Sequence, residues 1–232
     1  MTPWELLETA TAPDGDELRL LRRGDEFSIR LAGGNELMNS RVGGSEEALA
    51  TLAMDRLAGR VAPRVLIGGL GMGFTLRAVL SRGGPDLRAV VAEIVPELIG
   101  WARGSMAGVL EGALEDPRLE VVVGDVGACI RAARGEFDAI LLDVDNGPDG
   151  LTRSGNAALY AEGGLRAARR ALAADGILAV WSASPDRDFV KRLSASGFET
   201  STHTVRASRS GRGARHTIWI AEASEGRAVR GQ

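Results

Sequence analysis

The feature that most constrains this chain is a glycine-rich segment that directly follows a short apolar run. The glycines lie between the apolar residues 65–67 and the helix-like segment 74–82. A strand, a tight glycine turn and a helix in this order form the floor of a nucleotide-like site. Glycine lets the backbone approach the ligand, and free amides at the helix start face it. The predicted ligand-binding glycines are Gly68, Gly69, Gly71 and Gly73.

The spacing of these glycines restricts the class of ligand. The pattern from Gly69 is G-x-G-x-G, which differs from the G-x-G-x-x-G of dinucleotide sites, and no Gly-Lys-Ser/Thr follows, which excludes a P-loop. This turn suits an adenosyl group without a pyrophosphate, such as a sulfonium nucleoside, better than NAD or FAD. Glu93 lies 20 positions past Gly73, where a second strand places a carboxylate against a ribose. A turn that serves only strand-to-helix packing is the alternative.

The composition indicates an ordinary globular protein. The 232 residues are 44% hydrophobic with a net charge of −3, which suits one full domain with a small appendage and indicates neither nucleic acid nor an anionic membrane as a partner. One cysteine, Cys129, and two histidines are too few for an internal disulfide, a cysteine-based zinc site or a histidine-rich metal site. No apolar run approaches 18 residues, so we expect a cytoplasmic protein that binds no metal.

The chain divides into three predicted parts. Residues 1–60 contain short antiparallel strands with turns between them, followed by a helix that Ser45 caps. Residues 61–222 alternate apolar strands with helices and form the predicted nucleoside-binding domain. Residues 223–232 are predicted to be a flexible tail.

The middle part predicts an α/β fold. Continuous apolar strands with crossover helices imply a parallel sheet covered on both faces. Two alternating strands then close the sheet as a hairpin, in which His203 and His216 are expected to face each other. The predicted strands are 64–67, 88–93, 119–123, 137–142, 176–181, 199–206 and 216–222. The predicted helices are 74–82, 95–115 with a break near Gly104, 126–134, 157–173, and 185–193 with Ser184 as its cap. This is a Rossmann-like class I methyltransferase fold: a mostly parallel seven-stranded sheet that ends in an antiparallel hairpin, preceded by a small N-terminal β-hairpin region.

Three successive strands of this sheet each end in an acid. Because ligands of open α/β sheets bind beyond the carboxyl ends of the strands, Glu93, Asp125 and Asp143 are expected at one rim. Glu93 would accept from ribose hydroxyls and Asp125 from the exocyclic amine of adenine, with the following residues, Ile94 and Val126, beside the nucleoside. The alternative for Asp125 is that it caps the helix after it.

Asp143 is the acid expected nearest the reacting centre. A carboxylate there can take a proton from an attacking amine or hold an ammonium. Asp145 and Asn146 extend the polar rim of that pocket, and Tyr160 follows in the next helical segment. These four residues are the predicted catalytic set, and they favour a polar or cationic acceptor.

The chain resembles the spermidine synthase (aminopropyltransferase) family over residues 63–181. The family's glycine motif is similar to Gly68–Ala78, and its Glu-Ile-Asp segment is similar to Glu93–Ile99. The run that ends in its adenine-binding aspartate resembles Asp116–Asp125. Asp143–Pro148 stands where the family has Asp-Ser-Ser-Asp-Pro, and Leu159–Tyr160 stands at its Phe-Tyr pair.

The resemblance implies transfer of an aminopropyl group from decarboxylated S-adenosylmethionine to a small polyamine. It makes Asp143 the acceptor of the amine proton. It also implies a homodimer that pairs through the N-terminal strands.

Several positions depart from the family pattern and keep other functions open. Met72 stands near the acid of the family's glycine loop, Asn146 at its second motif aspartate, and Ser45–Glu46–Glu47 at its Tyr-His-Glu segment. A methionine neither binds the donor's ammonium nor repels the carboxylate of ordinary S-adenosylmethionine. The alternatives are therefore an S-adenosylmethionine-dependent methyltransferase and a non-catalytic nucleoside-binding relative.

Overall fold

A four-stranded antiparallel sheet opens the chain. The computed structural model describes residues 2–144, 154–208, 210–211 and 213–223. The strands of the first sheet are β1 (Glu5–Thr11), β2 (Glu17–Arg23), β3 (Glu26–Leu31) and β4 (Glu36–Asn39), paired in chain order. Gly24 has a φ of 61° in the two-residue turn between β2 and β3. A tight turn of this kind matches the twist of the two strands that it joins.

A seven-stranded sheet forms the centre of the molecule and confirms the predicted fold class. Its strands are β5 (Arg64–Gly68), β6 (Arg88–Glu93), β7 (Leu119–Val123), β8 (Phe137–Leu142), β9 (Leu172–Ser182), β10 (Phe198–Arg206) and β11 (Arg215–Ala223). The spatial order is β10-β11-β9-β8-β5-β6-β7. The five strands from β9 to β7 run parallel, and β11 is antiparallel to both of its neighbours. All five parallel strands therefore present their carboxyl ends at one edge.

Helices connect the strands and differ from the prediction in one region. They are α1 (Gly44–Arg56), α2 (Phe74–Arg82), α3 (Pro96–Arg103), α4 (Ala107–Leu110), α5 (Val126–Ala132), α6 (Ser154–Tyr160), α7 (Glu162–Ala171) and α8 (Arg187–Ala195). The break expected near Gly104 is present, since α3 ends there. The single helix predicted over 157–173 is wrong, because Ala161 is extended and separates α6 from α7. Strand β9 also begins four residues earlier than predicted and reaches Phe137 through an irregular register.

Neither of the two predicted serine caps is observed. Helix α1 begins at Gly44, and Ser45 lies inside it, fully buried, with its hydroxyl directed to other side chains. Gly43 occupies the cap position, where a Cβ would lie 2.3 Å from the Phe74 ring. Helix α8 is capped by Asp186, whose carboxylate accepts from two backbone amides, and not by Ser184. Asp186 acts as the cap because its carboxylate reaches the free amides of the first helical turn.

The two histidines do not face each other across the closing hairpin. In the register of β10 and β11, His203 lies opposite Ile218 and His216 lies opposite Val205. The prediction that they face each other is therefore wrong, because the register of the two strands offsets them by two positions. His216 instead packs edge-on against Trp181 of β9, with the ring centres 4.7 Å apart.

Both faces of the central sheet are buried, which explains its continuous apolar strands. Val65 and Ile67 of β5 contribute to one core, and Leu66 between them contributes to the other. The first core also contains Leu20 and Ile29 of the N-terminal sheet. The N-terminal sheet therefore packs on the same face of the central sheet as α1. The domain boundary near residue 60 stays a prediction. Among the described residues, no helix is long and apolar enough to span a membrane.

We predict that Gly73→Ala destabilises the protein by about 2 kcal/mol. Gly73 has a φ of 78°, and an added Cβ would lie 2.1 Å from Leu110 Cδ1. The control is Gly100→Ala in α3, where nothing lies within 4 Å of the new Cβ and helix propensity favours alanine. Urea unfolding measures both. Equal stabilities of the two variants would contradict this account of the glycine turn.

Candidate active site

The glycine turn after β5 needs glycine for backbone reasons that differ from residue to residue. Gly69 has a φ of 88°, and a Cβ there would lie 2.6 Å from the carbonyl oxygen of Asp143. Gly71, at a φ of 52°, lines the cleft described below. Gly68 ends β5, where a Cβ would press on Val126, and Gly73 packs on Leu110. Gly69 and Gly71 therefore border the cleft, whereas Gly68 and Gly73 shape the turn from behind.

Glu93 joins the glycine turn to the next loop. It ends β6 and is only 5% exposed. One carboxylate oxygen accepts from the backbone amide of Leu70 at 2.9 Å, and the other accepts from the amide of Val95 at 2.8 Å. Glu93 therefore holds the glycine turn against the loop that follows β6, with its carboxylate at the floor of the cleft described below.

Asp125 performs the capping role that the sequence offered as its alternative, and it also borders the cleft. Its carboxylate accepts from the amides of Gly127 and Ala128 at 2.8 and 3.1 Å, which caps α5. Arg131 donates to the same carboxylate at 3.0 Å. Asp125 also lines the cleft. Its contact with adenine stays a prediction.

These residues border a single cleft at the carboxyl ends of the strands, here called the main cleft. Its floor comes from the central sheet and its roof from the N-terminal sheet. The floor residues that the sequence predicted are Gly69, Gly71, Glu93, Ile94, Asp125 and Val126. The roof residues include Asp16, Leu18, Leu37 and Met38, none of which was predicted as a nucleoside contact. The contact between the N-terminal sheet and the central sheet has no signature in the sequence pattern, so the roof residues could not be identified from it.

A smaller pocket, here called the side pocket, adjoins the main cleft. Asp143, Gly71, Leu37 and Met38 border both cavities. The remaining wall of the side pocket includes Glu46, Met72, Phe74 and Trp181. The two cavities thus share Asp143 at their junction, and the side pocket combines an apolar wall with two carboxyl groups.

Asp143 is held in an unfavourable place for a charge. It directly follows β8, and its carboxylate accepts from the buried Thr75 hydroxyl at 2.6 Å. Burial, reinforced by repulsion from Glu46, raises the pKa of Asp143 to about 7, against the opposing hydrogen bond from Thr75. A carboxyl group of this pKa can take up and release a proton near neutral pH.

Glu46 is the site residue that the sequence analysis missed. The sequence placed it in the first turn of α1, where an acid complements the helix dipole. The structure shows that it borders the side pocket, and burial raises its pKa despite the hydrogen bond from Ser45. The alignment of Glu46 with the family's Tyr-His-Glu segment could have indicated a site residue. Only the packing of α1 against α2 shows that Glu46 borders the pocket.

The other predicted catalytic residues are placed differently. The Tyr160 ring is buried and packs edge-on against Phe189, and its hydroxyl donates to the carbonyl oxygen of Val144 at 3.3 Å. Tyr160 thus holds the backbone next to Asp143 and is absent from the described walls of both cavities. Asp145 and Asn146 lie outside the described residues. In the described part of the chain, no group of three or more His, Cys, Asp or Glu residues could hold a metal ion.

We predict that Asp143→Asn stabilises the protein more at pH 8 than at pH 5. A carboxyl whose pKa rises from 3.8 to about 7 on folding stays protonated in the folded protein while the unfolded chain is already ionised. Folding therefore takes up a proton between those two values, and stability falls as the pH rises through that window. Denaturant unfolding at both pH values measures the difference.

The control for that prediction is Asp188→Asn. Asp188 is an exposed acid whose pKa is lowered by its bond to Lys191, so its removal gives no such gain at pH 8. An equal effect of Asp143→Asn at both pH values would show that this carboxyl is not raised.

Comparisons with known proteins identify the family of this chain. The family model "Spermine/spermidine synthase domain" matches residues 46–192. The polyamine aminopropyltransferase of Mycobacterium tuberculosis is 31% identical over 172 residues, which are 73% of this chain and 31% of that protein. That of Nitrosomonas europaea is 40% identical over 98 residues, 42% of this chain and 29% of that protein. The matches thus span about a third of the length of these relatives.

Solved structures share the fold. The spermidine synthase of Thermotoga maritima superposes with a TM-score of 0.74 at 23% identity, over 94% of this chain and 73% of that one. A spermidine synthase in complex with the transition state analogue AdoDATO gives a TM-score of 0.73 at 22% identity, over 94% and 72% of the two chains. With the family model covering more than half of the sequence, the chain belongs to the spermine/spermidine synthase family.

Proposed function

We propose that this protein is an aminopropyltransferase that moves an aminopropyl group from decarboxylated S-adenosylmethionine to a small polyamine. The observation that carries the proposal is the position of Asp143 at the junction of the main cleft and the side pocket. A donor in one cavity and an amine in the other would meet at this carboxyl group. The family membership and the names of the aminopropyltransferase relatives support the same reaction.

The main cleft fits the nucleoside half of the donor. Glu93 places a buried carboxylate at the cleft floor, and a carboxylate is a suitable acceptor for ribose hydroxyls. Asp125 borders the same cleft and offers a carboxylate acceptor for the adenine amine. The backbone of Gly69 and Gly71 leaves room that any side chain would fill. When bound, the donor supplies a carbon activated by the adjacent sulfonium.

The side pocket fits the acceptor amine. Asp143 and Glu46 attract a cation, and the apolar wall formed by Phe74 and Trp181 lets an alkyl chain pack. In the proposed step the amine nitrogen forms a bond to the activated carbon, the carbon–sulfur bond breaks, and sulfur keeps the electron pair. The nitrogen then carries an extra proton, which Asp143 is placed to accept.

Met72 favours one competing function. It is a buried side chain on the wall of the side pocket, and it puts no acid where the family has one in its glycine loop. Without that charge, ordinary S-adenosylmethionine meets no repulsion from this position. Methyl transfer is therefore the second candidate, and a nucleoside-binding protein without catalysis is the third outcome of the test below. The homodimer and the cytoplasmic location remain predictions.

We expect calorimetric titration of the protein to show tighter binding of decarboxylated S-adenosylmethionine than of S-adenosylmethionine. Methylthioadenosine, which contains only the nucleoside half, should bind to the main cleft as well. A preference for ordinary S-adenosylmethionine would support the methyltransferase instead. Binding of none of the three would contradict the nucleoside site itself.

Glu93→Gln and Asp143→Asn separate the two halves of this site. Glu93→Gln should weaken all three ligands about tenfold or more, because an amide lacks the charge and half of the acceptors of the carboxylate. Asp143→Asn should leave methylthioadenosine binding nearly unchanged while it reduces turnover. Circular dichroism of both variants controls for folding.

A further inference from the structure

A chain of hydrogen bonds leads away from the side pocket through residues that the proposed reaction does not yet use. The Ser45 hydroxyl donates to Glu46 Oε2 at 2.6 Å, and His216 Nδ1 lies 2.9 Å from the same hydroxyl oxygen. Ser45 is fully buried. Its hydroxyl therefore has these two partners at ordinary hydrogen-bond distances in a place without access to bulk water.

The chain joins two distant segments that the fold fixes against each other. Ser45 and Glu46 lie on α1, whereas His216 lies on β11, 171 residues later. The backbone amide of Gly44 donates to the carbonyl oxygen of Ala207 at 2.8 Å, which ties the start of α1 to the hairpin. The edge-on contact of His216 with Trp181 sets the direction of the imidazole.

The two ends of the chain lie in different surroundings. Glu46 borders the side pocket together with Asp143, whereas His216 is only half-buried. A serine hydroxyl can accept from one neighbour and donate to the other, and both roles can reverse together. The three groups thus provide a continuous route for a proton from the pocket to the outer part of the hairpin.

The acid–base properties of the two ends suit such a route. Burial raises the pKa of Glu46 and lowers the pKa of His216, so both groups favour their neutral forms. In that state, protonated Glu46 can donate to Ser45 while Ser45 donates to an unprotonated Nδ1. Around His216 the charged residues at the near ends of the packed elements are Glu46 and Glu47 on α1, and Arg206 and Arg215 on the hairpin. The other charged residues of these elements, Asp55, Arg56, Glu199 and Glu222, lie at their far ends. Strand β9 contributes the uncharged Trp181.

We propose that Glu46, Ser45 and His216 form a path that carries the proton of the attacking amine from the side pocket to solvent. The inference rests on the proposed function, since it assigns the proton that amine alkylation releases. That proton passes from the amine to the pair formed by Asp143 and Glu46. Glu46 then gives a proton to Ser45 Oγ, Ser45 gives its own to His216 Nδ1, and Nε2 releases one to water. Ser45 and His216 act through Glu46 and are positioning residues.

The first test needs no substrate, because the chain has only two histidines. Proteins with labelled histidine give two NMR titrations, and His203→Gln identifies which belongs to His216. Glu46→Gln should lower the pKa of His216 by about half a unit or more, because loss of the Glu46 proton along the path leaves a carboxylate that favours the imidazolium, and glutamine has no proton to lose. In a Ser45→Ala background, the same substitution should have a clearly smaller effect.

The resonance of His203 serves as an internal control, because its Nε2 bonds to Ser201 and borders neither cavity. Its chemical shift at a fixed pH should be the same in Glu46→Gln and Ser45→Ala and report an intact hairpin. A His216 pKa that Glu46→Gln leaves unchanged would overturn the proposal. So would an equal effect with and without the Ser45 hydroxyl.

The second test measures turnover with decarboxylated S-adenosylmethionine and a polyamine as a function of pH. Ser45→Ala should lower kcat about tenfold near pH 7 with little change in the KM of the donor, and the loss should shrink as the pH rises. His203→Gln should match the unmodified protein. A kcat profile unaffected by Ser45→Ala would overturn the proton path. The remaining outcome is NMR coupling between Glu46 and His216 without aminopropyl transfer. That result would refute the proposed function and leave the coupling established.

Discussion

Desolvation of the Asp143 carboxyl beside Glu46 is the interaction on which the site depends. Two acids that border one small pocket repel each other and lose hydration together, so a proton or a cationic ligand between them is favoured. Thr75 moderates this effect, because its hydroxyl stabilises the ionised form of Asp143. A carboxyl poised in this way can attract an amine and then accept its proton, which fixed, fully ionised acids do poorly.

The rest of the fold serves to put these acids in one place. Asp143 follows a central strand of the parallel sheet, and the glycine turn approaches its carbonyl closely enough to exclude any Cβ at Gly69. Glu46 arrives from α1, which packs against α2 and the closing hairpin. The N-terminal sheet then covers the cleft with Leu37 and Met38. Three separate parts of the chain thus converge on the junction of the two cavities.

The elements predicted well are those whose cause is local. The strand–turn–helix around Gly69 and the acids at the ends of β6 and β8 follow from apolar runs, glycine conformation and strand direction. The cap of α1 was misplaced because close packing against Phe74 puts a glycine at that position, and the cap of α8 because Ser184 and Asp186 both precede the helix. The split near Ala161 was missed because small residues continue the helical pattern through it.

The parts of the site that escaped prediction depend on contacts between distant residues. The sequence shows that the family's imidazole and aromatic groups are absent at Ser45–Glu46–Glu47, yet His216 reaches Ser45 from the far end of the chain. Similarly, nothing in the sequence around Trp181 shows that it borders the side pocket. No spacing rule relates positions 171 residues apart, so register and packing alone could show this arrangement.

The most direct test is product analysis after incubation of the protein with a polyamine and each of the two sulfonium donors. Mass spectrometry distinguishes an added aminopropyl group from an added methyl group on the amine. We predict an aminopropylated amine and methylthioadenosine from the decarboxylated donor, with both lost in Asp143→Asn. A methylated product formed only from ordinary S-adenosylmethionine would contradict the account.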